Sequence, residues 1–157
     1  MPPPPLADLA HFDLNHVEVT RQQIYEVLPH RYEFMQLDGI IHMDVNAAMV
    51  IAFRDVRADE WWCKGHIPTR PIFPGVLMIE TAAHVASYYY HRVLKQSHFM
   101  GFSAVDRVKF RDAIVPPSRI IIVGRSVEVR PRRTICETQA FVDGKVVFEG
   151  QITGMPF

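Results

Sequence analysis

The chain has 157 residues, which is long enough for one domain with a buried core. Hydrophobic residues make up 48% and charged residues 22% of it, a balance that is typical of globular proteins and excludes a disordered or fibrous chain. Seventeen basic and seventeen acidic side chains cancel, so the overall charge gives no support for nucleic acid or an anionic membrane as a partner.

The first residues and the cysteines indicate the organisation and the compartment. Residues 1–19 open with Met1 and a run of prolines, and they lack the basic start and continuous apolar run of a secretory signal. We therefore expect a flexible proline-rich leader at 1–19 and a single domain at 20–157. Cys63 and Cys136 form no CxxC motif, so neither a zinc site nor a redox motif is indicated. The missing secretory signal predicts a cytoplasmic protein with reduced thiols.

The predicted elements begin with a short helix. Thr20 and Gln23 have the spacing of a capping box, and Pro29 ends the apolar pattern that follows. Segments 37–44 and 47–56 are rich in β-branched residues and predict a hairpin with one buried face.

After a loop at 57–74, residues 75–94 predict a long helix. It is apolar on nearly every side, which requires that other elements surround it. Because this stretch is short and contains charged and titratable side chains, we do not expect it to span a membrane.

The rest of the chain predicts strands, at 98–105, 107–113, 119–130, 134–142 and 145–154. The Asp143-Gly144 pair predicts a type I′ turn between the last two strands. One long buried helix among antiparallel strands predicts an α+β domain in which a curved sheet wraps the helix. Joining two such sheets edge to edge in a dimer would protect their outer strands.

His66 and Glu80 are the main candidates for chemistry. His66 lies in a proline-rich loop that leads to a helix start at Gly75, where unpaired N–H groups can bind a carbonyl oxygen, although a lone histidine is often structural. Glu80 is the only acid in an apolar helix. It is either buried in an ion pair with Arg70 or His84, or a proton donor whose pKa is raised by apolar surroundings.

His84 follows Glu80 by four residues and so shares its helical face, where it can orient the carboxyl group. A metal site can be drawn from Cys63, His66, Glu80 and His84. These residues match no common zinc motif, and we predict no metal.

Several separated motifs resemble one known family. They are LPHRY at 28–32, GHIP at 65–68, PIFPGVLMIE at 71–80, VDRVKF at 105–110 and VDGKVV at 142–147. From about residue 22 onward the chain resembles the 3-hydroxyacyl-acyl carrier protein dehydratases of bacterial type II fatty-acid synthesis. The resemblance implies a hotdog fold, homodimers with active sites at the subunit interface, commonly a trimer of dimers, and acyl carrier protein as partner. It implies no metal and no redox cofactor.

The resemblance also implies residue roles. His66 would remove the C2 proton as catalytic base, Glu80 of the other subunit would protonate the departing C3 hydroxyl, and the Gly75 N–H would bind the thioester oxygen. Further residues expected in the substrate site are Ile72, Phe73, Val76, His84 and Phe102.

The chain departs from the family pattern at a few positions. Ile67 and Thr69 stand where the family usually has phenylalanine and glycine, and His84 stands where it has glutamine. Glu33 and Gly39 replace a proline and an arginine. These differences suggest a divergent member that acts on an unusual acyl chain. A hotdog thioesterase that activates water, and a non-catalytic acyl-binding protein, are the alternatives.

Overall fold

The computed structural model describes residues 1–157 and contains one antiparallel sheet folded around a long helix. The helices are α1 (Arg21–Val27) and α2 (Gly75–Leu94), with short 3-10 turns at Leu9–His11 and Tyr32–Phe34. The strands are β1 (Val19–Thr20), β2 (Gly39–Asp44), β3 (Met49–Val56), β4 (Met100–Phe110), β5 (Ser118–Arg130), β6 (Arg133–Val142) and β7 (Lys145–Pro156). Their order in the sheet is β1-β2-β3-β5-β6-β7-β4. The α+β prediction is confirmed.

The helix α2 forms the centre of the main core, packed on β5, β6 and β7. Its buried residues occupy consecutive positions, including Val85, Ala86, Tyr88, Tyr89 and Tyr90. Burial on all sides explains why its sequence shows no polar face. Neither helix has the length and hydropathy needed to cross a membrane.

Local sequence signals account for the short elements. The Thr20 Oγ1 atom accepts from the backbone N–H of Gln23 at 3.2 Å, and the Gln23 side chain accepts from the backbone N–H of Thr20 at 2.9 Å, so the predicted capping box starts α1. Asp143 and Gly144 both adopt positive φ, 50° and 77°, between β6 and β7. That is the geometry of the predicted type I′ turn.

The prediction of separate strands at 98–105 and 107–113 is wrong, because β4 is continuous. It pairs with β7 along its length, and the register shifts between Asp106 and Lys109. Arg107 lies inside this shift with φ of 51°. A β-bulge therefore absorbs the polar interruption that looked like a strand end.

The N-terminal segment also differs from the flexible leader predicted for 1–19. Side chains of Leu6, Leu9, Phe12 and Leu14 pack on a second apolar cluster, which includes Ile41, Ile51, Phe53, Ile121, Val123 and Phe141. Gln139 fixes the segment further, since its Oε1 accepts from the backbone N–H of Leu6 at 2.7 Å. The apolar residues after the proline run cover the outer face of the sheet, and this burial holds the segment in place.

Candidate active site

His66 lies in the loop between β3 and α2, where the backbone selects its tautomer. Its Nδ1 atom lies 2.7 Å from the carbonyl oxygen of Ile72. A carbonyl oxygen only accepts, so Nδ1 carries the ring proton and the neutral ring keeps a lone pair on Nε2. The backbone N–H of Ile72 donates in turn to the carbonyl of His66 at 2.9 Å. The bond expected of a structural histidine is therefore present, and it leaves Nε2 available as a base.

A buried ion pair anchors both ends of this loop. Arg54 on β3 binds the Glu60 carboxylate, with Nη1 3.1 Å from Oε2, and Glu60 also accepts from the Arg57 backbone N–H at 2.8 Å. The same guanidinium lies over the Phe73 ring, 4.6 Å from its centroid. Burial raises the pKa of Glu60, but the bonds from Arg54 and Arg57 outweigh burial and hold that pKa below its usual value.

A cavity of about 440 Å³ lies between His66 and the start of α2. Ile72, Phe73 and Gly75, which are predicted substrate residues, line it together with His66. No side chain caps the N-terminus of α2, so its first N–H groups remain available to an anionic oxygen. A Cβ atom at Gly75 would lie 2.8 Å from the Phe110 ring, which explains the glycine. The structure thus brings together the predicted base and the predicted oxygen-binding backbone.

Glu80 lines a different cavity of the chain, of about 320 Å³. It lies five residues into α2, a rotation of about 140° from the helix start. One chain therefore does not bring His66 and Glu80 into a single cavity. His84 and Phe102, predicted substrate residues, line the Glu80 cavity.

Val76 lines neither of these two cavities. Its side chain is 74% exposed in the single chain. A role for Val76 in the acyl site stays a prediction that depends on a second subunit.

A chain of hydrogen bonds orients Glu80 from the core. The Leu37 backbone N–H donates to the Tyr25 hydroxyl at 2.8 Å, and Tyr25 Oη lies 2.8 Å from His84 Nδ1. The Glu80 carboxylate beside Nε2 only accepts, so the neutral His84 ring carries its proton on Nε2, and its Nδ1 accepts from the Tyr25 hydroxyl. That Nε2 atom lies 3.0 Å from Glu80 Oε1. Tyr25 and His84 are only 3% and 1% exposed. The buried Tyr25 thus holds His84 in the position where it is predicted to orient Glu80.

Of the two alternatives for Glu80, the single chain shows the pair with His84, at 3.0 Å, and not a raised pKa. The hydrogen bond from His84 lowers this pKa and outweighs the opposing effect of burial, and the nearby imidazoles act in the same direction. His30 Nε2 lies 3.7 Å from Glu80 Oε1. Burial lowers the pKa of His30 to about 4, and repulsion by His84 contributes, so His30 is neutral near pH 7.

The ligand set of Cys63, His66, Glu80 and His84 is not assembled. The group of side chains that does place ligand atoms within 4.8 Å of one another is His30, Glu80 and His84. In this group His84 Nε2 already donates to Glu80. Arg70, the other candidate partner of Glu80, forms no ion pair with it.

Sequence reasoning missed Tyr25 and His30. His30 belongs to the LPHRY motif, and its place in that motif could have identified it as a candidate site residue. Tyr25 reads from sequence as an ordinary core residue of α1, and only its contact with a helix 59 positions away reveals it. Thr69 adopts φ of 65°, the left-handed conformation that suits the glycine expected at this position.

Comparison with known proteins finds matches along most of the chain. The family model described as a FabA-like domain matches residues 28–151. Two relatives from Clostridium botulinum strains Eklund 17B and Alaska E43, both described as 3-hydroxyacyl-[acyl-carrier-protein] dehydratase FabZ, are 33% identical over 136 residues. The matched region covers 83% of this chain and 94% of each relative.

Solved structures share the fold at low sequence identity. The dehydratase heterocomplex ApeI:P from Xenorhabdus doucetiae aligns with a TM-score of 0.72 at 16% identity, covering 85% of this chain and 90% of that chain. The thioesterase PA1618 from Pseudomonas aeruginosa, solved as a mutant, aligns with a TM-score of 0.59 at 15% identity, covering 76% and 81%. These similarities, with the sheet wrapped around α2, show the expected hotdog fold.

Proposed function

This chain belongs to the FabA-like family, and we infer from that membership that it is a 3-hydroxyacyl-[acyl-carrier-protein] dehydratase. As a hydro-lyase, it removes water from 3-hydroxyacyl thioesters and forms trans-2-enoyl thioesters in fatty-acid or related lipid synthesis. The observation that carries this proposal is the His66 cavity, where an imidazole with a free Nε2 lies beside the uncapped N-terminus of α2.

Each group in the His66 cavity has a task in the first half of the reaction. His66 Nε2 takes the C2 proton of the bound thioester. Negative charge then develops on the thioester oxygen, and the N–H groups at Gly75 stabilise it. The hydrogen bond that His66 Nδ1 donates to the Ile72 carbonyl keeps the imidazole in the required tautomer.

Glu80 completes the reaction by giving a proton to the C3 hydroxyl, which leaves as water. His66 has then gained one proton and Glu80 has lost one. The enzyme regains its initial protonation state when a proton passes from His66 to Glu80. In the single chain the His84 bond lowers the pKa of Glu80. Enclosure by a second subunit adds desolvation, which favours the protonated carboxyl group that the reaction needs.

We propose a homodimer in which the His66 cavity of one subunit faces Glu80 of the other. The separate placement of His66 and Glu80 within one chain supports this arrangement. The resemblance extends the proposal to a trimer of dimers and to acyl carrier protein as the carrier. Cys63 and Cys136 are free and buried, as suits the reducing cytoplasm where we place the enzyme.

The test is an assay of 3-hydroxyacyl thioesters with wild type, His66→Ala and Glu80→Gln. We expect the wild type to form an enoyl product and each variant to lose activity by at least about a hundredfold. Unchanged activity in either variant would contradict the assigned role. Release of free thiol without an enoyl product would identify a thioesterase instead, and acyl binding without turnover would identify a binding protein.

A further inference from the structure

The Glu80 cavity has an aromatic boundary that starts beside the carboxyl group. His30 lies 3.7 Å from Glu80, measured from Nε2 to Oε1. The Phe99 ring follows, 5.9 Å from the His30 ring between centroids, and the Phe157 ring lies 6.0 Å beyond Phe99. All four residues line the cavity. The row of rings therefore runs from the acid to Phe157.

Three contacts hold Phe157 at the end of this row. Its backbone N–H donates to the Phe99 carbonyl at 2.9 Å, and its ring is stacked on the Phe99 ring at an interplanar angle of 16°. The Phe157 ring also lies over Gly101 on β4, where a Cβ atom would overlap it. Gly101 lines the cavity too. The missing side chain at Gly101 thus leaves room for the ring at the cavity wall.

Phe157 separates the cavity from the outside of the chain. The residue is 82% exposed in the single chain, so little protein lies beyond its ring. It follows the end of β7 at Pro156, and it lies outside residues 28–151, which the family model matches. Phe157 is therefore a wall that this chain adds to the part it shares with the family.

We propose that Phe157 closes the far end of the acyl site and limits the length of the acyl chain that the enzyme accepts. The inference rests on the proposed function, which places the C3 hydroxyl beside Glu80 and the rest of the chain in the cavity. Ala83, Phe102 and Ile152 give this cavity the apolar lining that suits a hydrocarbon. A chain that reaches Phe157 must bend or displace the ring, so further methylene groups no longer gain by burial.

The experiment measures how the length limit changes when the ring is removed or displaced. Phe157→Ala removes it, and Gly101→Ala displaces it, because the added methyl group takes its place. Phe34→Ala is the matched control, since Phe34 is 48% exposed and lines neither cavity. Turnover of a series of straight-chain 3-hydroxyacyl-pantetheine thioesters is measured as kcat/KM. Binding is measured by calorimetry on analogues in which an amide replaces the thioester.

In wild type and Phe34→Ala, we expect affinity to rise roughly threefold to fourfold with each methylene that enters the cavity, and to stop rising when the chain reaches Phe157. In Phe157→Ala the limit should move to longer chains, so that the longest chains gain about tenfold over wild type, as two further methylene groups contribute. Gly101→Ala should move the limit in the same direction, and the double variant should add nothing to Phe157→Ala. The same limit in wild type and Phe157→Ala would overturn the inference.

The two readouts separate this inference from the proposed function. If the analogues show a limit that depends on Phe157 but no thioester forms an enoyl product, the cavity assignment holds and the dehydratase assignment fails. If enoyl product forms with the same limit in wild type and Phe157→Ala, the dehydratase assignment holds and this inference fails.

Discussion

At the residue scale, His84 is the departure from the family pattern that most directly changes the site. It donates to Glu80 from Nε2 and is itself held by Tyr25 at Nδ1. A glutamine amide could supply a similar donor to Glu80. It would lack the imidazole ring whose Nδ1 atom lies 2.8 Å from Tyr25 Oη.

Replacing His84 should therefore shift the pH profile of the enzyme. The His84 bond lowers the pKa of Glu80, and His84→Leu removes it, so this pKa rises. An acid loses activity as pH rises through its pKa, and the basic limb of kcat/KM should move to higher pH in His84→Leu. His84→Gln, which keeps a donor, should shift less. A basic limb that stays fixed in His84→Leu would show that Glu80 does not control it.

The residue scale also shows which parts of the site were predictable. His66, Gly75 and Glu80 lie close together in sequence, and proline spacing and an isolated acid made them candidates for the site. Tyr25 and His30 reach the site through tertiary packing against α2. No local pattern encodes such contacts. The sequence left two alternatives open for Glu80, because the direction of its pKa shift depends on the strength of one hydrogen bond relative to burial.

At the element scale, the loop between β3 and α2 depends on the buried pair of Arg54 and Glu60. Arg54→Met leaves the Glu60 carboxylate buried without its partner. We expect a loss of about 3–5 kcal/mol in the free energy of unfolding. The double variant Arg54→Met, Glu60→Gln should recover much of it, because it removes both charges. Urea denaturation of the two variants measures the difference, and equal losses would contradict the pairing argument.

The elements themselves were predictable to different degrees. The bounds of α2 follow from Pro74 before it and from the end of the apolar pattern at Leu94, where Lys95 takes a left-handed conformation. The continuity of β4 was not predictable, since its bulge at Arg107 breaks the alternation that indicates a strand. The N-terminal segment was misread because composition does not show that its apolar residues meet a matching face of the sheet.

At the scale of the whole molecule, the division of the site between two cavities is the main feature. His66 and Gly75 line one cavity, and Glu80 and His84 line another. Gly75 and Glu80, one from each cavity, lie about 140° apart around the axis of α2. A dimer that pairs unlike cavities forms two sites, each with residues from both chains.

This geometry predicts complementation between inactive variants. His66→Ala and Glu80→Gln are each expected to be inactive alone. Unfolding and refolding them together at equal concentration should form mixed dimers, in which one site lacks both groups and the other is intact. Random pairing then restores about a quarter of the wild-type activity. If His66 and Glu80 acted within one chain, every site in the mixture would lack one group and activity would stay at the level of the single variants.

The control refolds the double variant His66→Ala, Glu80→Gln with wild type. If the sites are shared between chains, the mixed dimers have no intact site. If each site lies within one chain, the mixed dimers keep half of their activity.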